Sequence, residues 1–216
     1  MCTLASKRAY HHGNLRPALV AAALREIAHE GPDGFSLRGV ARRAGVSAAA
    51  VYRHFRDKED LLVAVAGECA ERLGAATVEA VAQAPNDPLS RFRATGVAFV
   101  RFATAHPEHF RALSVPGLTE RTPPEQRANK AAFEQAERHA LAAAQAQGLV
   151  AALPLDDILI AGYALVSGLA HMIVEGRLGV VDDARATELA TAITGVIGEG
   201  LVPRGDPPCE PERPRH

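Results

Sequence analysis

The sequence predicts an all-α protein, and three observations carry that expectation. Apolar residues recur at i, i+3, i+4 and i+7 along nearly the whole chain, strict alternation is almost absent, and β-branched residues cluster only in short stretches. At 216 residues, 48% apolar and 23% charged, the chain can bury a real core as one domain or two small ones. That mix excludes collagen, coiled coil and wholesale disorder.

A first helix starts at Asn14 as N-cap, with Pro17 in the first turn where its missing N–H costs least, and ends at Gly31-Pro32. Its inward stripe is Leu15, Leu19, Ala22, Ala23 and Ile27. Ser36 caps a short helix over 37–43 that buries Leu37, Val40 and Ala41, and Gly45 breaks it. Ser47 caps a third helix to Arg53, with Val46, Val51 and Phe55 inward. Asp57 caps a longer fourth helix, with Asp60 at the N3 place of a capping box and Leu61, Leu62, Val65 and Cys69 along one side. After the break at Pro85-Asn86-Asp87-Pro88, capped by Asp87, helices follow at about 88–105, 107–113, 123–148, 155–178 and 183–200. Val115 to Pro124 reads as a loop. The tail 203–216 has five prolines and is expected to be disordered.

The stretch from Ile158 to Val174 is interrupted by Gly162, Ser167, Gly168 and His171, so no membrane helix is expected. The N-terminus carries charge where a signal peptide needs an apolar stretch. Cys2, Cys69 and Cys209 are odd in number and widely spaced, which fits a reducing compartment. A cytoplasmic location is the expectation.

A net charge of −1 conceals an asymmetry: residues 1–58 sum to +6 and the remainder to −7. A basic first quarter suits an encounter with phosphate, although 21 of the 24 basic residues are Arg, as a GC-rich genome alone would give. Spacing decides. Two short helices flank Ala44-Gly45-Val46 as a helix-turn-helix, whose second helix enters the major groove of DNA. Ala41 and Gly45 stand where a larger side chain would hold the two helices apart.

SLRGVARRAGVS followed directly by VYRHFRDKEDLL resembles the DNA-binding end of TetR-type transcriptional regulators, and YHHGNLRPALVAAAL resembles the start of one branch of that family. The match is close over about residues 10–65, and in helix pattern and length beyond. HPEHFRAL resembles the middle of the same branch, whose penultimate helix typically carries Trp, His and Gly; here Tyr163 and Ser167 replace the first two and Gly168 remains. The resemblance implies a dimeric regulator, a repressor released from its operator by a small-molecule effector. Its helix-turn-helix domain would span 1–58, and its effector-binding and dimerisation bundle 59–202.

Residue roles follow from chemistry. The Tyr52 phenol can reach a phosphate while its ring lies on the helix pair, or it is a half-buried core tyrosine. Lys58 adds an ammonium to the open N–H groups of a helix start. Resembling regulators use the matching Tyr and Lys as phosphate clamps. His54 is a further phosphate donor or a polar filler beside Phe55; Ser36 and Arg38 touch backbone, or Arg38 is solvated, and Arg42 and Arg43 are solvated. Base edges fall to Ser47, which reads or only caps, and to Ala48 and Ala49, whose methyls suit thymine. Lys7 and Arg8 form an arm that enters the minor groove or stays solvated.

Dimerising places two recognition helices about 34 Å apart. Ile158, Leu165, Leu169 and Ile173, with Leu189, Ala192, Ile193, Val196 and Ile197, form the expected seam, helped by Gly162, Gly168 and Gly195, or else they are monomer core. Phe99, Phe102, Phe110, Phe133 and Tyr163, with His106, His109, His139, Ser167 and His171, suggest a mostly apolar effector site, or else they line only the core.

Enzyme signatures such as GxSxG, HExxH, GxGxxG and Walker patterns do not occur in the sequence, and no cofactor is expected. Pro107 sets His106 ahead of the helix that holds His109, and His11-His12 diverge as neighbours, so no metal site is expected. The alternative function is an architectural or constitutive DNA-binding protein without effector control, against which the −7 over residues 59–216 counts.

Overall fold

The computed structural model describes residues 15–115 and 121–201. Among them are α1 (Leu15–Gly34), α2 (Leu37–Ala44), α3 (Ala48–Tyr52), α4 (Lys58–Gln83), α5 (Pro88–Ala105), α6 (Pro107–Leu113), α7 (Pro124–Ala146), α8 (Leu155–Val174) and α9 (Asp183–Leu201), and no strand. Asn14 as first cap, the 203–216 tail and the Lys7-Arg8 arm lie outside the described residues.

Helix ends follow local chemistry. α1 is interrupted at Gly31 (φ 73°, ψ 169°), a conformation that glycine alone takes without strain, and one further turn follows through Pro32. Asp87 caps α5 by accepting from the Ser90 N–H at 2.8 Å. α7 and α8 stop at Ala146 and Val174, short of the expected 148 and 178. The Leu149 N–H turns back to the Ala144 carbonyl at 3.0 Å, and the Arg177 N–H to that of Met172 at 2.9 Å, which closes each helix early.

The chain divides into two compact units, Met1–Gly74 with His106–Arg127 and Ala75–Ala105 with Ala128–His216. In the first, α1 packs on α2 and α6, and α2 on α3. Leu19, Ile27, Val40, Val51, Phe55, Leu61, Val65 and Cys69 are fully buried, joined by Ala112 of α6. Each of the larger apolar side chains contributes about 1.5–3 kcal/mol by leaving water. Burial also pushes the Cys69 thiol up to about 12, so it stays protonated.

In the second unit α5 packs on α8 and α9 around Val100, Val166, Leu169, Ile173, Ala186 and Ala190. Gly96 allows that approach, since a Cβ there would lie 3.0 Å from both Val166 Cγ1 and Thr194 Cγ2. Leu141, Ala144, Val150 and Ile158 close the end of α7 onto the start of α8.

Among the described residues one helix, α8, is long and apolar enough to cross a membrane by length and composition alone, but Val166, Leu169 and Ile173 bury it against α5 and α9 as a core helix of its unit, in keeping with the expectation that it is not a membrane span. Its interruptions are small or half-buried and do not break the helix. The arrangement also corrects the expected seam. Ile158, Leu169 and Ile173 are buried in the core of their own unit, and Gly162 packs 3.1 Å from the Phe92 ring as measured to an added Cβ. Leu189 and Ile193 are half-buried against the same core, and an added Cβ on Gly195 would lie 3.2 Å from the Arg93 guanidinium. Apolar residues left outside include Ile160, Tyr163, Leu165 and Met172 on α8 and Ala192 and Val196 on α9, with open space over Gly168. The Ile197 side chain lies outside the described residues.

Candidate nucleic-acid interface

The first unit builds its outer surface from capped short helices. Ser36 Oγ accepts from the Gly39 N–H at 3.1 Å and Ser47 Oγ from the Ala50 N–H at 3.2 Å, so each hydroxyl starts one helix of the pair. Between them Gly45 adopts φ 69°, ψ 31°, and the Val46 N–H returns to the Ala41 carbonyl at 3.0 Å. A Cβ on Gly45 would meet nothing within 4 Å, so this glycine serves the left-handed backbone, and its expected role in spacing the helices is corrected. Ala41, at 3% exposure, is the residue that needs to be small.

Tyr52 closes α3 at 54% exposure, which removes the core alternative for its ring. Arg38, Ala49, Arg53, His54 and Arg56 are exposed and Ala48 is half-buried. Phe55 instead is buried, with the Arg16 guanidinium 4.9 Å above its ring. Lys58 is half-buried: its ammonium donates to the Asp33 carbonyl at 2.7 Å and sits 4.8 Å over the Phe35 ring. An ammonium has three donors, so this placement anchors the side chain and leaves N–H capacity for an anion.

α4 starts as a capping box drawn one residue wider than expected. Asp57 Oδ1 accepts from the Asp60 N–H at 2.7 Å, and Asp60 Oδ2 accepts from the Arg56 N–H at 3.0 Å. Arg121 then donates to both Asp57 oxygens, at 2.8 and 3.2 Å, and to Glu59 at 3.5 Å. That guanidinium, followed by the Asp60 N–H, holds the Asp57 carboxyl below its ordinary value. No local signal pointed to Arg121, which is 64 residues away in sequence.

Arg43 is not simply solvated. Its Nε lies 2.6 Å from Oε2 of Glu26, a carboxylate with 8% side-chain exposure. Arg42 is exposed, as expected.

The expected effector residues are distributed over both units, and each is described within its own. In the second, the Phe99 and Tyr163 rings meet edge to face at 5.9 Å, although Tyr163 is 65% exposed. Phe102 is buried on α5 and Phe133 exposed on α7. His171 Nδ1 donates to the Ser167 carbonyl at 2.8 Å, one turn back on the helix. His139 lies 2.9 Å from the Gln135 amide. Glu137, which sequence reasoning missed, accepts from Thr95 Oγ1 at 3.1 Å, and burial raises its carboxyl above the ordinary value. In the first unit, Phe110 and His109 are buried on α6, and His106 is half-buried at the N-cap position without a side-chain capping bond.

A helix-turn-helix on a helical unit, followed by a second helical unit, defines a class of regulatory protein, and the comparisons agree. Residues 19–65 match the model of bacterial regulatory proteins of the tetR family, and residues 92–195 match a tetracyclin repressor-like C-terminal domain. The chain belongs to the TetR family. It is 36% identical over 78 residues to the HTH-type transcriptional regulator AcrR of Shigella flexneri, covering 36% of each protein. It is 40% identical over 79 residues to the regulator BetI of Burkholderia ambifaria (strain MC40-6), covering 37% of this chain and 41% of BetI. The chain thus spans well under half the length of these curated relatives. A solved protein of unknown function from Rhodococcus sp. RHA1 is 33% identical with TM-score 0.72, over 91% of this chain and 100% of that one. A TetR family transcription regulator from Marinobacter aquaeolei VT8 shares the fold at TM-score 0.68 and 21% identity, over 88% and 96% of the two chains.

Proposed function

We propose that this protein is a sequence-specific DNA-binding transcriptional regulator, a cytoplasmic homodimeric repressor released from its operator by a mostly apolar small molecule. The observation that carries the reading is the pair Tyr52 and Lys58, an exposed phenol at the end of α3 and an anchored ammonium at the start of α4. These groups hold backbone phosphates while Ser47, Ala48 and Ala49 face base edges, with Ser36, Arg38 and His54 as further contacts and Lys7-Arg8 as a minor-groove arm. The outward apolar residues of α8 and α9 support a helix-on-helix dimer seam. Phe99, Phe102, Phe133, Tyr163, Ser167 and His171 of the second unit are the proposed effector contacts there, and Phe110 and His106 those of the first.

An effector must bind the DNA-incompetent form more tightly than the competent one, because equal affinity shifts nothing. Selection of genomic fragments on the purified protein, then gel shifts against random DNA, tests sequence specificity. A thermal-shift screen of apolar compounds, followed by DNA release from wild type, Phe102→Ala and His171→Ala, tests the effector. Equal affinity for selected and random DNA would favour the architectural alternative. A hit that releases DNA equally from wild type and both variants would remove those two residues from the site.

A further inference from the structure

We propose that His106, Glu108 and His109 form a binding site for one divalent transition-metal ion of the zinc class, within the first compact unit. Their ligand atoms lie within 4.8 Å of one another: two imidazoles and one carboxylate on four consecutive residues. Pro107 does place His106 ahead of α6, as the sequence implied. As N-cap, however, His106 takes a non-helical backbone (φ −134°, ψ 61°) that returns its ring to within 5.1 Å of the His109 ring, at 63° between planes. The two rings therefore meet although His106 precedes the helix.

The donor set favours a particular chemistry. Two nitrogens and one oxygen suit Zn²⁺, Co²⁺ or Ni²⁺, while Ca²⁺ and Mg²⁺ prefer oxygen alone. His109 Nδ1 and Glu108 Oε1 are 2.8 Å apart, so they need to open by only about 0.6 Å to reach the roughly 3.4 Å edge of a tetrahedron whose ligands sit about 2.1 Å from one ion. The ion takes the place of the hydrogen those two atoms share, and a small rotation of the half-buried His106 supplies the third ligand. Three protein ligands leave a fourth position for water or a small anion, as in open zinc sites.

The test uses untagged full-length protein titrated with Co²⁺, read by its visible absorption, and with Zn²⁺, read by calorimetry. We expect one ion per chain with micromolar or tighter affinity, retained in a His11→Ala/His12→Ala variant. His106→Gln and Glu108→Gln should each weaken binding at least about tenfold, with helicity by circular dichroism unchanged. Absence of saturable binding would overturn the site, as would undiminished affinity in His106→Gln and Glu108→Gln. Neither readout involves DNA, so this inference and the proposed function fail independently.

Discussion

Nε of Arg43 lies 2.6 Å from Oε2 of Glu26, tying α2 to α1 through a carboxylate buried against Gly39. Arg43→Ala should cost about 2 kcal/mol of stability, less than breaking a wholly buried pair because the Arg43 side chain is 34% exposed. Gly39→Ala should cost about 1–2 kcal/mol by a different route, since its Cβ would stand on the Glu26 carboxylate and push it off Arg43. Because both act on one contact, urea denaturation of the double variant should show less than the sum. Strict additivity would mean that Gly39 and the ion pair are independent.

Tyr52→Phe and Lys58→Ala should weaken binding to every DNA sequence alike. Loss of Lys58 should also lower the slope of log affinity against log salt by about one unit. The Tyr52 variant removes only a hydroxyl from a side chain 54% exposed, so its stability should stay within about 0.5 kcal/mol of wild type. Gel shifts across a salt series decide the matter, and unchanged affinity in both variants would dismiss them as phosphate clamps.

Leu165 and Leu169 lie one turn apart on α8, at 43% and 4% exposure. Arginine at 165 or at Val196, which is 69% exposed, should therefore give a folded monomer, whereas Leu169→Arg buries an unpaired charge and should destabilise the fold by several kcal/mol. Light scattering with circular dichroism separates the cases. A soluble dimer from both Leu165→Arg and Val196→Arg would place the seam elsewhere.

Glu137 gives a pH-dependent expectation. Burial raises its folded-state carboxyl above the ordinary value, so the associated stability is fully present below about pH 4 and is lost as pH rises through the folded value. Glu137→Gln keeps an oxygen to accept from Thr95 and removes the ionisation. It should raise the melting temperature by on the order of 2 °C at pH 7.5 and by almost nothing at pH 4. Equal shifts at both values would show that the carboxylate is not disfavoured by burial.

The sequence by itself determined where the helices begin and, within a few residues, where they end. Ser36, Ser47, Asp57 and Asp87 each cap a backbone N–H three residues on, and such signals are complete within one turn. The helix-turn-helix was legible for the same reason, since its geometry rests on Gly45 and two flanking serines. Partners across the fold were not. Arg43 and Glu26 are 17 residues apart, and Arg121 and Asp57 are 64 apart. Charge alone cannot say which basic residue meets which acid until helices pack. α8 shows the limit most clearly: apolar residues surround it, so its pattern could not tell Leu165 from Leu169. Contact with α5 and α9 chose which side became core, because only the tertiary arrangement decides which apolar surface leaves water.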